Sequence, residues 1–245
     1  MRRLLLVLVL AAGCTPAPRP VAPRPPAPAW TAWPPQRDAS GLPAVVSDIE
    51  SHLWDGNPYR DRDRITWVHE GTHGINSQLR ETYHMAGFYV LENRAVLLRE
   101  PATTLATVAA LVPPRLRGSV YDTYLMEAQA SWNNQPSYIF DEWVAYTNGL
   151  EARCRLGIKD REETGRFAAE FIPYAICVPR AANSKDPQLK AFLRWQIERV
   201  LTLYREGGIE SSTFDDMRNR TDASPFRTFT QGYFGPAWTK RVFGF

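Results

Sequence analysis

Apolar residues fall into three regimes along the chain. Leu4 to Leu10 is an unbroken apolar run, residues 15 to 36 show no period, and from about Ala39 onward apolar positions recur at helical spacing. Ile65, Val68, Ile75 and Leu79 mark one face across Arg64 to about His84, and Asp63 stands before them as a capping residue. A helix is predicted there. The same pattern returns at Ala102 to Leu111, Val120 to Trp132, Tyr138 to Leu156 and Glu162 to Ala175. Asp186-Pro187 then supplies a cap and a first-turn proline for a long helix ending near Gly207. Gly87 to Leu98 breaks the series, because two runs rich in β-branched and aromatic residues flank the turn-prone Glu92-Asn93-Arg94. That is a hairpin signal. The expected fold is mainly α (α+β), one domain over 39–245 with a small β-hairpin, its aromatic-rich tail from Phe226 to Phe245 packed on the core.

Composition supports a globular domain and removes some function classes. Of 245 residues, 44% are hydrophobic and 22% charged, which excludes disorder for most of the chain. The net charge is only +3 and no basic block stands out, so no nucleic-acid partner is expected.

The N-terminus has the layout of a targeting segment. Arg2 and Arg3 precede the apolar run, and Ala11-Ala12-Gly13-Cys14 ends it with small residues and a cysteine. A run this short cannot span ~30 Å of hydrocarbon. The arrangement resembles a bacterial lipoprotein signal, which implies removal of residues 1–13 and a lipid on Cys14. Residues 14–38 then form a tether, since nine of the 20 prolines lie between Thr15 and Gln36 and favour extended polyproline geometry. No other segment has the length and apolarity of a membrane span. The expected location is the bacterial cell envelope, facing the periplasm or exterior, with membrane attachment through the N-terminal lipid. Once Cys14 is assigned to lipid, Cys154 and Cys177 remain as an even pair in a disulfide-permissive compartment, and a structural disulfide is expected between them.

The candidate chemistry lies at Trp67-Val68-His69-Glu70-Gly71-Thr72-His73, an H-E-x-x-H sequence using two of the four histidines. Residues four apart share a helix face, so His69 and His73 can direct imidazoles at one zinc ion. Glu70 projects beside them and can take a proton from a water on the ion. A third ligand is needed. Asn76 and Leu79 replace the glycine and histidine of the metzincin pattern, and His84 lies about 16 Å along the axis from His73. A carboxylate is therefore expected, from Glu92, Asp122 or Glu142. Glu142 is favoured: it occupies the apolar run Tyr138-Ile139-Phe140-Asp141-Glu142-Trp143-Val144-Ala145-Tyr146, where an unpaired carboxylate costs several kcal/mol and a metal supplies its partner. A salt bridge from Glu142 to Arg80 is the competing explanation.

With His69, Glu70, His73 and Glu142 in place, the chain resembles the gluzincin group of zinc metallopeptidases, and Asp141-Glu142-Trp143-Val144-Ala145 is similar to the N-E-x-x-A segment of several such families. The likeness covers two helices. Asp141 replaces the usual asparagine, the gap between the segments is long, and Tyr146 stands where an aspartate that steadies a zinc histidine would be; Asp141 or Asn148 is left to serve. The resemblance implies a zincin-like helical domain holding zinc through His69, His73 and Glu142, with Glu70 as general base for hydrolysis of a peptide or protein substrate. Tyr146, Tyr138 and Arg80 are candidates to stabilise the oxyanion. A different class is a zinc-containing envelope lipoprotein that binds a partner without cleaving it. The presence of Glu70 favours the enzyme.

Overall fold

The structure is a computed structural model and describes residues 27–56, 60–158, 162–206 and 224–245. Among the described residues the order is β1 (Thr31–Ala32), α1 (Ala44–His52), α2 (Arg64–Tyr83), β2 (Ala86–Tyr89), β3 (Arg94–Leu98), α3 (Leu105–Leu111), α4 (Gln129–Trp132), α5 (Tyr138–Leu156), α6 (Glu162–Ala181), α7 (Pro187–Glu206), α8 (Ser224–Phe234) and α9 (Pro236–Phe243). A 3₁₀ turn covers Pro114–Leu116 and a π-helical turn Asp122–Glu127. The fold is mainly helical with one small antiparallel sheet, ordered β1-β3-β2.

Two antiparallel helices, α2 and α5, form the centre. Asp63 caps α2, accepting from the Ile65 amide at 3.1 Å and the Thr66 hydroxyl at 2.7 Å. Ile65, Val68, Thr72, Ile75 and Leu79 are buried along one stripe, which leaves His69, Glu70 and His73 on another face. Close packing fixes the back of α2. A Cβ on Gly71 would come within 2.4 Å of Ile49 from α1, and one on Gly87 within 2.4 Å of Leu79 Cβ. Glycine at these two positions lets α1 and β2 approach α2 closely. The helix ends at His84, left-handed at φ 54° and exposed, away from the histidine pair.

The hairpin turn is conformationally demanding. Leu91, Glu92 and Asn93 are all left-handed, at φ 70°, 58° and 60°. Side chains from α1 hold it: Asp48 Oδ2 accepts from the Glu92 amide at 2.7 Å, and His52 Nε2 lies 2.7 Å from Asn93 Oδ1. Tyr89 contributes its hydroxyl, which accepts from the Asn93 amide at 3.2 Å.

Several expectations change. Residues 27–38, assigned from their prolines to the tether, join the fold: Thr31 and Ala32 pair with Ala95 and Arg94, Trp33 is buried, and Trp30 packs edge-on against Trp195. Apolar contact outweighs local composition here. Helix α6 runs past Ala175 to Ala181 despite Pro173 and Pro179, because Ile176, Cys177 and Val178 are fully buried there. The segment 120–132 is broken by the π-helical turn. The expected disulfide is absent. Cys154 and Cys177 are free thiols, Cys154 directing its Sγ at the Leu203 carbonyl 3.6 Å away and Cys177 lying within the core. The tail packs as expected, through Phe226, Phe234, Trp238 and Phe243. Residues 1–26, with Cys14 and the signal-like run, lie outside the described residues. Among the described residues no helix is long and apolar enough to cross a membrane.

Candidate metal centre

The α2–α5 pairing brings the three expected ligands together. His69 Nε2 is 3.1 Å from His73 Nε2, and Glu142 Oε2 from α5 is 3.7 Å and 3.5 Å from them respectively. Ligands held at ~2.0–2.1 Å around a tetrahedral zinc lie about 3.3 Å apart, so the observed triangle has the size such an ion needs. The donor chemistry agrees. Glu142 Oε2 is shielded from solvent and accepts no hydrogen bond, a costly arrangement for a carboxylate oxygen that a cation removes. Among the described residues His69, His73 and Glu142 are the group whose ligand atoms converge in this way.

The other carboxylates lie elsewhere. Glu92 is exposed at the hairpin turn and pairs with Arg94 at 2.7 Å and Arg155 at 3.4 Å. Asp122 is exposed on the π-helical turn. Neither joins the triangle. Arg80 makes no ion pair with Glu142 and instead approaches Gln135 Oε1 at 3.5 Å.

Asp141 is the carboxylate behind a histidine. Its Oδ1 lies 3.2 Å from His73 Nδ1 and accepts from Asn76 Nδ2 at 2.5 Å, while Asn76 Oδ1 accepts from the Tyr89 amide at 2.7 Å. A line of hydrogen bonds thus runs from strand β2 to the His73 ring and sets its orientation. Asn148 has a different task. It donates to Thr72 Oγ1 and the Tyr89 carbonyl, both at 3.0 Å, and accepts from Arg199 Nη2 at 2.8 Å. Arg199 in turn pairs with Glu151 at 2.6 Å. This polar seam joins α2, α5, α7 and the hairpin behind the site.

Electrostatics separate the two imidazoles. Burial, reinforced by the neighbouring His73, presses His69 down to about 3. Burial also opposes charge on His73, but Asp141 and Glu142 outweigh it and hold that ring well above the ordinary histidine range. In the absence of metal the pair therefore carries one proton, on His73, beside two carboxylates. A divalent cation at the centre would replace it.

Two cavities meet at the site. One, of about 440 Å³, is lined by His69, Glu70, His73, Arg80, Trp132 and Tyr138 among others; a second, of about 240 Å³, is lined by Ile65, Glu70, Tyr146 and Phe167 among others. Glu70, His69 and Tyr124 border both. Of the expected oxyanion donors, Tyr138 lines the larger cavity together with Glu142, and burial together with that carboxylate pushes its phenol up. Tyr146 packs edge-on against His69, ring centroids 4.4 Å apart, and its hydroxyl is 2.6 Å from that of Tyr124. Burial raises both of these phenols as well, so all three remain O–H donors at neutral pH. Asn76, Tyr124 and Trp132 were not anticipated as site residues; their aromatic or amide character alone carries no signal without the register of α2 against α5. Comparison with known proteins returned no matching family model, no matching curated protein and no matching solved structure.

Proposed function

We propose that this chain is a zinc-dependent metallopeptidase of the bacterial envelope, attached to the membrane by a lipid on Cys14. The observation that carries the reading is the buried Glu142 Oε2 without a hydrogen-bond donor, facing two imidazole nitrogens at 3.5 and 3.7 Å, with Glu70 beside them at the junction of two cavities. Zinc, when bound, supplies a Lewis acid that polarises a carbonyl and acidifies water.

The remaining work belongs to the chain. His69, His73 and Glu142 hold the ion and Asp141 orients His73. Glu70 follows His69 on the helix and borders both cavities, where its carboxylate takes the proton of an attacking water and returns it to the leaving amine. Tyr138, Tyr124 and Tyr146 offer O–H groups around the same space, suited to negative charge developing on a carbonyl oxygen.

The experiment has two arms. Zinc content of the wild type should be one per chain and fall sharply in Glu142→Ala, while Glu92→Ala and Asp122→Ala retain it; equal content in wild type and Glu142→Ala rejects the ligand set. Glu70→Gln should keep zinc and fold but lose cleavage of a mixed peptide library on the order of 10²-fold or more. Equal activity in the two proteins rejects Glu70 as base. A wild type that binds zinc and an envelope protein but cleaves no peptide selects the non-catalytic binding lipoprotein.

A further inference from the structure

The larger cavity has a charge pattern that the hydrolytic chemistry does not use. Its lining includes Glu70, Asp141 and Glu142, and among the described residues Arg80 is the only lysine or arginine that lines it. No carboxylate among the described residues lies within ion-pair distance of Arg80, whose side chain donates to Gln135 Oε1 at 3.5 Å, the outer limit of a hydrogen bond. Arg80 follows His73 by seven residues, two helical turns on the same face, and Ser77 lies between them along that stripe. One wall of the space is the Trp132 ring stacked on Tyr138, centroids 5.0 Å apart and planes within 3°. Across Glu70 the smaller cavity is apolar where Ile65 and Phe167 line it.

We propose that Arg80 is the anion-binding element of a substrate subsite, so that preferred peptides carry a carboxylate on the Arg80 side of the scissile bond. The inference rests on the peptidase reading of the same site and adds the substrate class to it. Seven residues of helix separate His73 and Arg80 by about 10.5 Å along the axis. An extended peptide advances ~3.3 Å per residue. The carboxylate therefore falls about three residues from the bond that is cut. It is either the free C-terminus of a short peptide or an acidic side chain. Guanidinium is suited to either, since it offers a planar fork of donors to two oxygens.

The test uses short peptides in matched pairs, each as free acid and C-terminal amide, and each with Asp or Asn at the second and third positions beyond the cleaved bond. Cleavage by the wild type should favour the anionic member of a pair by about tenfold in kcat/KM, and Arg80→Gln should abolish that preference. Arg80→Lys should restore part of it. Which pair responds identifies the free terminus or the side chain as the source of the carboxylate. Binding is read independently on zinc-loaded Glu70→Gln, through tryptophan fluorescence, where the same acid-to-neutral ratio should appear and vanish when Arg80→Gln is added. Cleavage of neutral and anionic peptides alike, with no change in Arg80→Gln, overturns the subsite and leaves the peptidase standing. Absence of any cleavage overturns the peptidase, and equal binding of acid and neutral peptides in the Glu70→Gln background overturns the subsite in that case too.

Discussion

Asp141→Asn separates the charge behind a proposed zinc ligand from its shape. Asp141 Oδ1 lies 3.2 Å from His73 Nδ1 and 2.5 Å from Asn76 Nδ2, so an amide fills the same space without the negative charge. Partners of this kind are worth about 10- to 100-fold in metal affinity, or about 1.4–2.8 kcal/mol. A second effect works the other way. Asp141 and Glu142 hold the proton on His73 against the opposing influence of burial, and zinc must displace that proton to bind. In the variant the proton is held less tightly, so competition from acid is weaker. Well above the folded pKa of His73 there is no competition, and the full loss from Asp141→Asn is seen. As pH falls, wild-type affinity begins to decline before that of the variant, and the gap between their dissociation constants narrows. Competition titrations against a chromogenic zinc chelator over a series of falling pH measure this directly. At the alkaline end of the series the variant should bind at least about tenfold more weakly, with a gap that narrows as pH falls. No gap at any pH, or a gap that widens as pH falls, would refute the pairing of Asp141 with His73.

Three further outcomes are expected, two from the geometry and one from the N-terminal sequence. In metal-free protein, His69 is held down to about 3 while its unfolded counterpart titrates near 6.5, so the unfolded state binds more protons and stability should fall as pH drops from about 6.5 to 5; His73, raised above 6.5, contributes stability already fully present in that window. Melting temperatures in chelator should decline across it, with a shallower slope in His69→Asn. Arg199→Met strips the 2.6 Å partner from Glu151 and the 2.8 Å donor from Asn148, and urea unfolding should show a loss of about 3 kcal/mol; a loss under about 1 kcal/mol would mean the seam behind α2 and α5 is not structural. Cys14→Ser should move the protein from the membrane fraction to a soluble exported fraction, and retention on membranes after a high-salt wash would reject the lipid anchor.

The two helices that carry the candidate ligands are legible because their signals are local. Asp63 and the stripe Ile65, Val68, Ile75 and Leu79 mark α2 to within one residue at its end, and Tyr138 to Leu156 matches α5 before Gly157 turns left-handed. That Glu142 is buried and lies by the two histidines was readable for a related reason, since a carboxylate amid Phe140, Trp143 and Val144 calls for a partner. What failed to show depends on contacts between distant segments. Asp141 reaches His73, and Asn76 reaches Tyr89, only once α2 and α5 are in register and the hairpin is docked. Thr31 and Ala32 pair with β3 although their prolines-and-alanine surroundings read as tether. The even count of Cys154 and Cys177 says nothing of their separation; one faces α7 and the other lies in the core.

Tyr146 in place of an acid has a physical consequence. His69 is held by the Tyr146 ring at 4.4 Å and receives no carboxylate at its back, whereas His73 is held by Asp141. The two candidate ligand histidines are thus steadied by different forces, one by aromatic packing and one by charge. This matters for the charge of the cleft. Glu70, Asp141 and Glu142 line the larger cavity, so a divalent cation would leave one negative charge uncompensated, and an acid in place of Tyr146, which lines the adjoining cavity, would double that excess across the two and repel an anionic substrate. With tyrosine there instead, Arg80 alone would bring the cleft to neutrality. Tyrosine at position 146 is in this way what the proposed subsite requires, since a single arginine two turns along α2 is then sufficient to draw a carboxylate toward a site lined by acids.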